Sequence, residues 1–315
     1  MKTAVHSPLE PTAFAKWFAA CAVITYALIS LIPLAWIFMT SFKTPQDAIA
    51  YPPKIVAEQS LVGYVNLFTT RSRVSADELA ALPPPATWYE KLVREQQMIL
   101  AGPSRFKDRY LNSLIIGFGS TLLSIVLGTL AAYAFSRFRI PGKDDWLFFI
   151  LSTRMMPPIA VAIPIYLMFR NVGLSDTYTG MILLYTVVNL SLSVWLLQGF
   201  MDEIPREYEE AAMVDGYTRW QAFLKVVLPQ ATTGIATTAI FCLIFSWNEY
   251  AFALLLTSGT AQTSPPFIPT IIGEGGLDWP AMAAGTTLFL LPVLFFTILL
   301  RKHLLRGITF GAVRK

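Results

Sequence analysis

Few residues in this 315-residue chain are equipped for chemistry, and most of those lie inside apolar runs. Ser246-Trp247-Asn248-Glu249-Tyr250 gathers a hydroxyl, an amide, a carboxylate and two aromatic faces at consecutive positions. Such groups suit the holding of a hydroxylated solute. Amide, carboxylate and hydroxyl groups pair with its hydroxyls, and aromatic faces cover the apolar faces of a sugar ring. Arg154 lies in another apolar run with Pro157, Pro158 and Pro164. Proline frees backbone carbonyls, and a charge at membrane depth costs about 2.5 to 3.5 kcal/mol on insertion scales, so both belong against protein or water. Arg154 therefore either lines a path or, only about 12 Å of helix from Trp146, snorkels to the near surface. Asn189, with Ser191, Ser193 and Gln198, adds polar groups that either bond neighbouring helices or line the same path. Glu249 has three readings: a path residue, a partner for Arg154, or a carboxylate near the outer end in water.

The motifs of catalysis are missing. No Gly-x4-Gly-Lys-Ser/Thr occurs, and the pair Gly142-Lys143 is followed by Asp144, so the chain has no phosphate-cradling loop and is not an ATPase. Neither Gly-x-Ser-x-Gly, His-Glu-x-x-His nor Cys-x-x-Cys appears. The two cysteines, Cys21 and Cys242, sit in apolar runs, and the two histidines, His6 and His303, lie near opposite ends. This suggests no disulfide framework, no metal site and no cofactor bound by this chain. A net charge of +4 without a Lys/Arg-rich run speaks against nucleic acid as a partner.

The elements that must position the polar residues are membrane helices. With 55% hydrophobic and 14% charged residues, the chain is far too apolar for an ordinary soluble domain. An all-α integral membrane protein is expected, embedded in lipid, with six transmembrane helices over 17–40, 110–136, 146–168, 178–200, 235–256 and 279–300. A cleaved signal peptide is the rival reading of the first run, which exceeds a typical h-region and has no small-x-small cleavage site after it. Residues 41–109 form a polar, proline-punctuated loop with capping-box spacing at Ser75/Glu78 and Thr87/Glu90, predicting two short helices, the second roughly from Trp88 to Ala101. In the second span Ser120, Ser124, Gly128 and Ala132 recur four apart, the pattern of a close packing seam. Lys and Arg number two in residues 1–16, three in the 137–143 connection, three in the 201–233 loop and five in the 301–315 tail, whereas the opposite short loops (the 257–278 loop included) carry only Arg170. Both termini and the 201–233 loop are thus expected in the cytoplasm, and the 41–109 and 257–278 loops outside.

The 201–233 loop has its own grammar. Pro205 suits the first position of a helix and Glu207, Glu209 and Glu210 follow where the helix dipole favours negative charge. Asp215-Gly216 ends that helix, and Thr218 caps a second one running to Pro229. Two short helices joined by a sharp turn result.

Glu210-Ala211-Ala212, Gly216, Val226, Leu228 and Pro229 fall at the spacing of Glu-Ala-Ala, three residues, Gly, nine residues, Ile, one residue, Leu-Pro, with Val for Ile the one departure. The sequence here resembles the permease subunits of binding-protein-dependent ABC importers. Ile204-Pro205-Arg206-Glu207, Asp215-Gly216 and Ser246-Trp247-Asn248-Glu249 are similar to the carbohydrate-uptake branch, in the MalG-like class; the tail Arg306 to Lys315 also resembles that class. The likeness covers the chain except residues 69–108, which look like an insertion on the outer face: a decorative lobe or a contact for the binding protein. It implies a permease core of the MetI-like type over about 110–301 in a bacterial-type inner membrane. The loop would then be a coupling helix docked on an ATPase, with Glu210, Ala211, Ala212, Asp215, Gly216, Leu228 and Pro229 as its coupling residues. Partners would be an ABC ATPase dimer that binds ATP and Mg, a second permease (MalF-like) or a second copy of this one, and an external solute-binding protein. The substrate path would draw on Arg154, Asn189, Trp247, Asn248, Glu249 and Tyr250, for a sugar or sugar alcohol. Open alternatives are another cargo (polyamine, phosphate ester or peptide) and an ion-coupled secondary transporter in which Glu249 or Arg154 titrates.

Overall fold

The computed structural model describes residues 12–273 and 276–310, with side chains described as far as Leu299. The first eleven residues and 311–315, where part of the N-terminal and tail expectations fall, lie outside the described residues. In chain order the principal helices are α1 (Ala13–Thr40), α2 (Val62–Phe68), α3 (Ala76–Ala80), α4 (Trp88–Arg94), α5 (Phe106–Arg137), α6 (Lys143–Ser152) and α7 (Pro158–Asn171). They continue with α8 (Tyr178–Asp202), α9 (Glu207–Val214), α10 (Arg219–Ala222), α11 (Thr232–Trp247), α12 (Ala251–Leu256) and α13 (Trp279–Phe310). Two small antiparallel or paired ribbons, β1 (Thr69–Arg73) with β2 (Met98–Pro103) and β3 (Ile272–Gly273) with β4 (Gly276–Leu277), are the strands among the described residues. Among the described residues, four helices are long and apolar enough to cross a membrane: α1, α5, α8 and Trp279–Leu299 of α13. Two bent pairs bring the number to as many as six.

The chain forms two compact units. One comprises the described residues up to Gly102 together with Ile272–Thr287. Its α1 is apolar all round and exposed along nearly its whole length, the mark of a helix whose solvent is lipid or another membrane helix. The polar stretch after it folds as a lobe with its own core, where Val65, Val93 and Met98 pack with Leu92 and Leu100. Ser75 and Glu78 make the expected capping box. The second lobe helix stops at Arg94 rather than near Ala101, because Gln97 takes φ +54° and Met98 onward pairs with β1 as a strand. A buried polar knot closes the lobe. Asp278 accepts from Arg71 at 3.0 Å and from Asn66 at 2.8 Å, while Asn66 and Gln96 exchange amide hydrogen bonds. The two charges pair with each other and the amides are bonded, as burial of such groups requires, although Arg71 Nε has no partner among the described residues.

The other unit, Pro103–Ile271 with the described part of Leu288–Lys315, is organised on α5 and α8. These run parallel and touch from end to end. Tyr178 donates to Asn112 at 2.6 Å at one end, Ser124 to the Thr186 carbonyl at 3.3 Å midway, and Ser136 to Asp202 at 2.5 Å at the other. The four-residue stripe supplies the seam: Ser120, Ser124 and Ala132 are buried, and a Cβ added at Gly128 would stand 2.5 Å from the Ser193 Cβ. Helix α11 crosses both. Ser246 bonds Ser120 at 2.9 Å and Asn189 at 2.7 Å, so three helices meet on one hydroxyl.

Two expected spans are broken. The third, read as one helix over 146–168, is α6 and α7 with a 93° bend, because Pro157 and Pro158 donate no backbone hydrogen bond and hold Met156 and Pro157 extended. Pro164 leaves α7 unbroken. The fifth, read over 235–256, stops at Trp247. The Glu249 carboxylate accepts the Phe252 and Ala253 N–H groups at 2.9 and 3.0 Å and so starts α12 as a separate helix. The sixth, read to Leu300, continues as helix to Phe310.

Gly128→Val is expected to destabilise the protein by about 1 to 3 kcal/mol through overpacking of the seam. Gly199→Ala on the facing α8, where an added Cβ meets nothing within 4 Å, is expected to be neutral or slightly stabilising. Thermal unfolding of both variants in detergent checks this, and equal melting temperatures would count against the seam.

Candidate functional site

The Glu-Ala-Ala loop is a turn built by backbone chemistry. α9 ends in a double hydrogen bond in which Tyr217 N–H reaches the Ala212 carbonyl at 3.0 Å and Gly216 N–H the Met213 carbonyl at 3.1 Å. That pattern needs a left-handed residue at the penultimate position, and Gly216 has φ +89°. Thr218 and Gln221 then form a complete capping box at the start of α10. The next turn, Phe223–Val227, is π-helical and leads into Leu228–Gln230, where Pro229 has no N–H to offer the Lys225 carbonyl. The second helix therefore starts at its expected cap and reaches Pro229, but not as one regular α-helix.

The two faces of α9 differ. Glu210, Ala211, Asp215 and Gly216 are exposed, with Tyr208, Tyr217, Trp220 and Val214 (87% exposed) beside them. Ala212 and Glu209 face inward and are buried. Glu209 is an ion-pair partner of Arg137, the last residue of α5, and both side chains are about 5% exposed. The Tyr133 hydroxyl donates to the other Glu209 oxygen at 2.8 Å, and its ring packs 4.5 Å from that of Phe223. Arg137 also donates to the Met201 and Ile204 carbonyls at 3.0 and 2.9 Å, and Arg206 to the Ser136 carbonyl at 2.7 Å. Phe223 and Val227 complete this inner side in a cluster with Ala132, Leu197, Met201 and Ile204. Glu209, Arg137 and Tyr133 were not singled out by sequence reasoning. The signal available was the three-residue spacing of Glu209 and Ala212, which places both on one helix face.

Most of the residues expected along a solute path are engaged in contacts within the helix core. Trp247 is core: its indole N–H donates to the Phe289 carbonyl at 3.0 Å and its ring stacks on Phe289 at 4.7 Å. Asn189 is buried between helices, donating to Cys242 and Ser246, with its Oδ1 unpaired. Glu249 caps α12 and accepts the Tyr185 hydroxyl at 2.8 Å. Arg154 is not its partner. The Arg154 guanidinium lies 4.0 Å over the Phe245 ring, with one bond of 3.4 Å to the Val188 carbonyl, at the bend between α6 and α7. Asn248 and Tyr250 are exposed where α11 ends. Asn248 and Tyr250 are thus the exposed members of this set, and Arg154 is half-buried. The loop after α12 is anchored by Asp176, whose carboxylate accepts the N–H groups of Ser258, Thr260 and Ala261 at 2.8 to 3.3 Å.

Replacing Gly216 by Ala places a side chain in a left-handed turn with no steric contact within 4 Å, so its cost is conformational, about 1 kcal/mol. Thr218→Ala removes the cap at a similar cost, about 1 kcal/mol. Each is expected to speed amide exchange across residues 207–222 about fivefold, and unchanged exchange in both would contradict the turn's dependence on them.

The matches with known proteins agree with this geometry. Residues 124–310 match the family model described as "Binding-protein-dependent transport system inner membrane component". A probable ABC transporter permease protein, y4oR, of Sinorhizobium fredii is 30% identical over 288 residues, covering 91% of this chain and 92% of its own. The trehalose transport system permease protein SugB of Mycobacterium tuberculosis is 37% identical over 212 residues, 66% of this chain and 77% of its own. A chain in the crystal structure of a bacterial ABC transporter involved in the import of the acidic polysaccharide alginate shares the fold, with TM-score 0.65 at 20% identity over 94% of this chain and 99% of that one. With a Glu-Ala-Ala turn bolted to membrane helices and a family match over most of the permease core, this chain belongs to the inner-membrane components of binding-protein-dependent transport systems and is a membrane permease subunit of an ABC importer.

Proposed function

We propose that this permease forms half of the translocation path for a sugar or sugar alcohol, driven by a separate ABC ATPase dimer docked on the α9–α10 turn. The observation that carries the reading is the two-faced turn, with Glu209 and Ala212 held against the membrane helices while Glu210, Ala211, Gly216 and an apolar fringe stay open. An exposed apolar fringe on a tightly anchored element suits a docking contact. Relatives named for trehalose, trehalose/maltose and diacetylchitobiose transport support the cargo class.

In this reading ATP and Mg bind the partner subunits, whose closure pushes the turn. Both termini and the turn lie in the cytoplasm and the lobe lies outside, where the solute-binding protein delivers cargo. A second permease, or a second copy, completes the path. Alternating access follows from rigid-body movement of helix bundles, and hydrolysis by the partner resets the cycle, since binding alone cannot drive net transport. The exposed Asn248 and Tyr250 and the half-buried Arg154 are the polar groups offered to the path, with Glu249, Asn189 and Trp247 supporting it from behind.

Glu210→Ala combined with Gly216→Val is expected to leave the ATPase subunits bound and to cut uptake by about tenfold or more, the scale of an allosteric coupling energy. Uptake at the wild-type rate with normal ATPase association would refute the coupling role. For the cargo, thermal-shift screening of the cognate binding protein against sugars and polyols is expected to show stabilisation; a response only to polyamines, phosphate esters or peptides would overturn the sugar assignment.

A further inference from the structure

Arg137 stands where three elements meet, and its donors are shared among them. Its Nε–H pairs with Glu209 of α9, Nη1 reaches the Met201 carbonyl and the Ser136 hydroxyl, and Nη2 reaches the Ile204 carbonyl. The planar, always-charged guanidinium fixes several acceptors at once, which a lysine ammonium does with less geometric control. The carbonyls of Met201 and Ile204 belong to the end of α8 and the turn after it, and the Met201 carbonyl accepts Arg137 in addition to the Glu203 and Ile204 N–H groups. One cation at the last residue of α5 thus binds the C-terminal end of α8 and holds the carboxylate of α9.

We infer that Arg137 is the positioning residue that makes the coupling turn and the α5–α8 pair move as one body. This rests on the proposed docking of an ATPase at the turn. A load applied to α9 has to pass into α5 and α8 through contacts that do not slip. Apolar contacts at Phe223 and Val227 can slide, being non-directional. A buried ion pair with both partners about 5% exposed cannot separate without leaving a buried charge short of its partner. Tyr133, on α5 one turn before Arg137, holds the second Glu209 oxygen and so fixes the orientation of the carboxylate as well as its place. The seam beyond it is close-packed at Gly128, and close-packed helices transmit displacement rather than absorbing it. Glu210, next in sequence, is exposed and makes no part of this joint, which separates the docking residue from the transmitting one.

The test uses the whole transporter, with its second permease, ATPase and binding protein, in lipid nanodiscs. One spin label at Leu111, near the Phe106 end of α5, is paired with one on the second permease, and a second sample pairs Val214 of α9 with Leu127 of α5. Mg-ADP with vanadate is the trapping probe. In the wild type, trapping is expected to shift the inter-subunit distance while leaving Val214–Leu127 unchanged. In Arg137→Gln the inter-subunit shift is expected to be lost and Val214–Leu127 to broaden and change on trapping, with the ATPase still bound. Glu209→Gln, which keeps the packing volume, is expected to act in the same direction and serves where Arg137→Gln does not assemble. Wild-type shifts retained in both assembled variants overturn the inference alone. Absence of any trapping shift in the wild type overturns the ATPase-docking reading on which it rests. A Val214–Leu127 distance that changes on trapping in the wild type overturns the rigid joint.

Discussion

The buried pairing of Glu209 with Arg137 is the constraint on which the functional end of this permease depends. A carboxylate in a short surface helix would ordinarily face water. Here it points inward, because a guanidinium at the end of α5 and the Tyr133 hydroxyl take both of its oxygens. The consequence is a fixed rotation for α9: with Glu209 and Ala212 inside, Glu210 and Ala211 must lie outside, and so must the turn at Gly216. The same guanidinium binds the end of α8. The membrane helices and the α9–α10 turn are thus joined by charge-assisted hydrogen bonds where packing alone would leave them free to slide.

Above that joint, α5 and α8 gain their close approach from small residues. Ser120, Ser124, Gly128 and Ala132 bring the helices together, and the hydroxyls that remain find carbonyls or one another. In lipid, helix association draws on van der Waals contact and interhelical hydrogen bonds because burial of apolar surface gains little there. The Ser246 hydroxyl, shared by Ser120 and Asn189, shows how polar groups in a span become structure rather than a route for solute.

Much of this was readable in advance where the cause is local. The Gly216 turn, the Thr218/Gln221 cap, the small-residue stripe and the capping box at Ser75 each arise from residues within one or two helical turns. What could not be read depends on partners far along the chain. Trp247 offered an aromatic face to a solute by composition, yet Phe289 and Tyr110 enclose it. Glu249 had the right chemistry for a sugar hydroxyl, but its oxygens are spent on two backbone N–H groups and Tyr185. Arg137 stood out only as one of three positive charges after a span, and its carboxylate lies 72 residues away. The break at Pro157-Pro158 had a visible cause in sequence, although its 93° bend did not.

In the proposed reading, force enters this chain from an ATPase through the α9–α10 turn, since the sequence holds no phosphate loop of its own. The most direct measurement is solute accumulation in proteoliposomes that carry this permease and its partner permease, with ATP and the binding protein supplied and the ATPase either present or omitted. Uptake of a panel of radiolabelled sugars is expected only when the ATPase is present and ATP is hydrolysed. Accumulation at the same rate without the ATPase, driven by an imposed proton or sodium gradient, would contradict it.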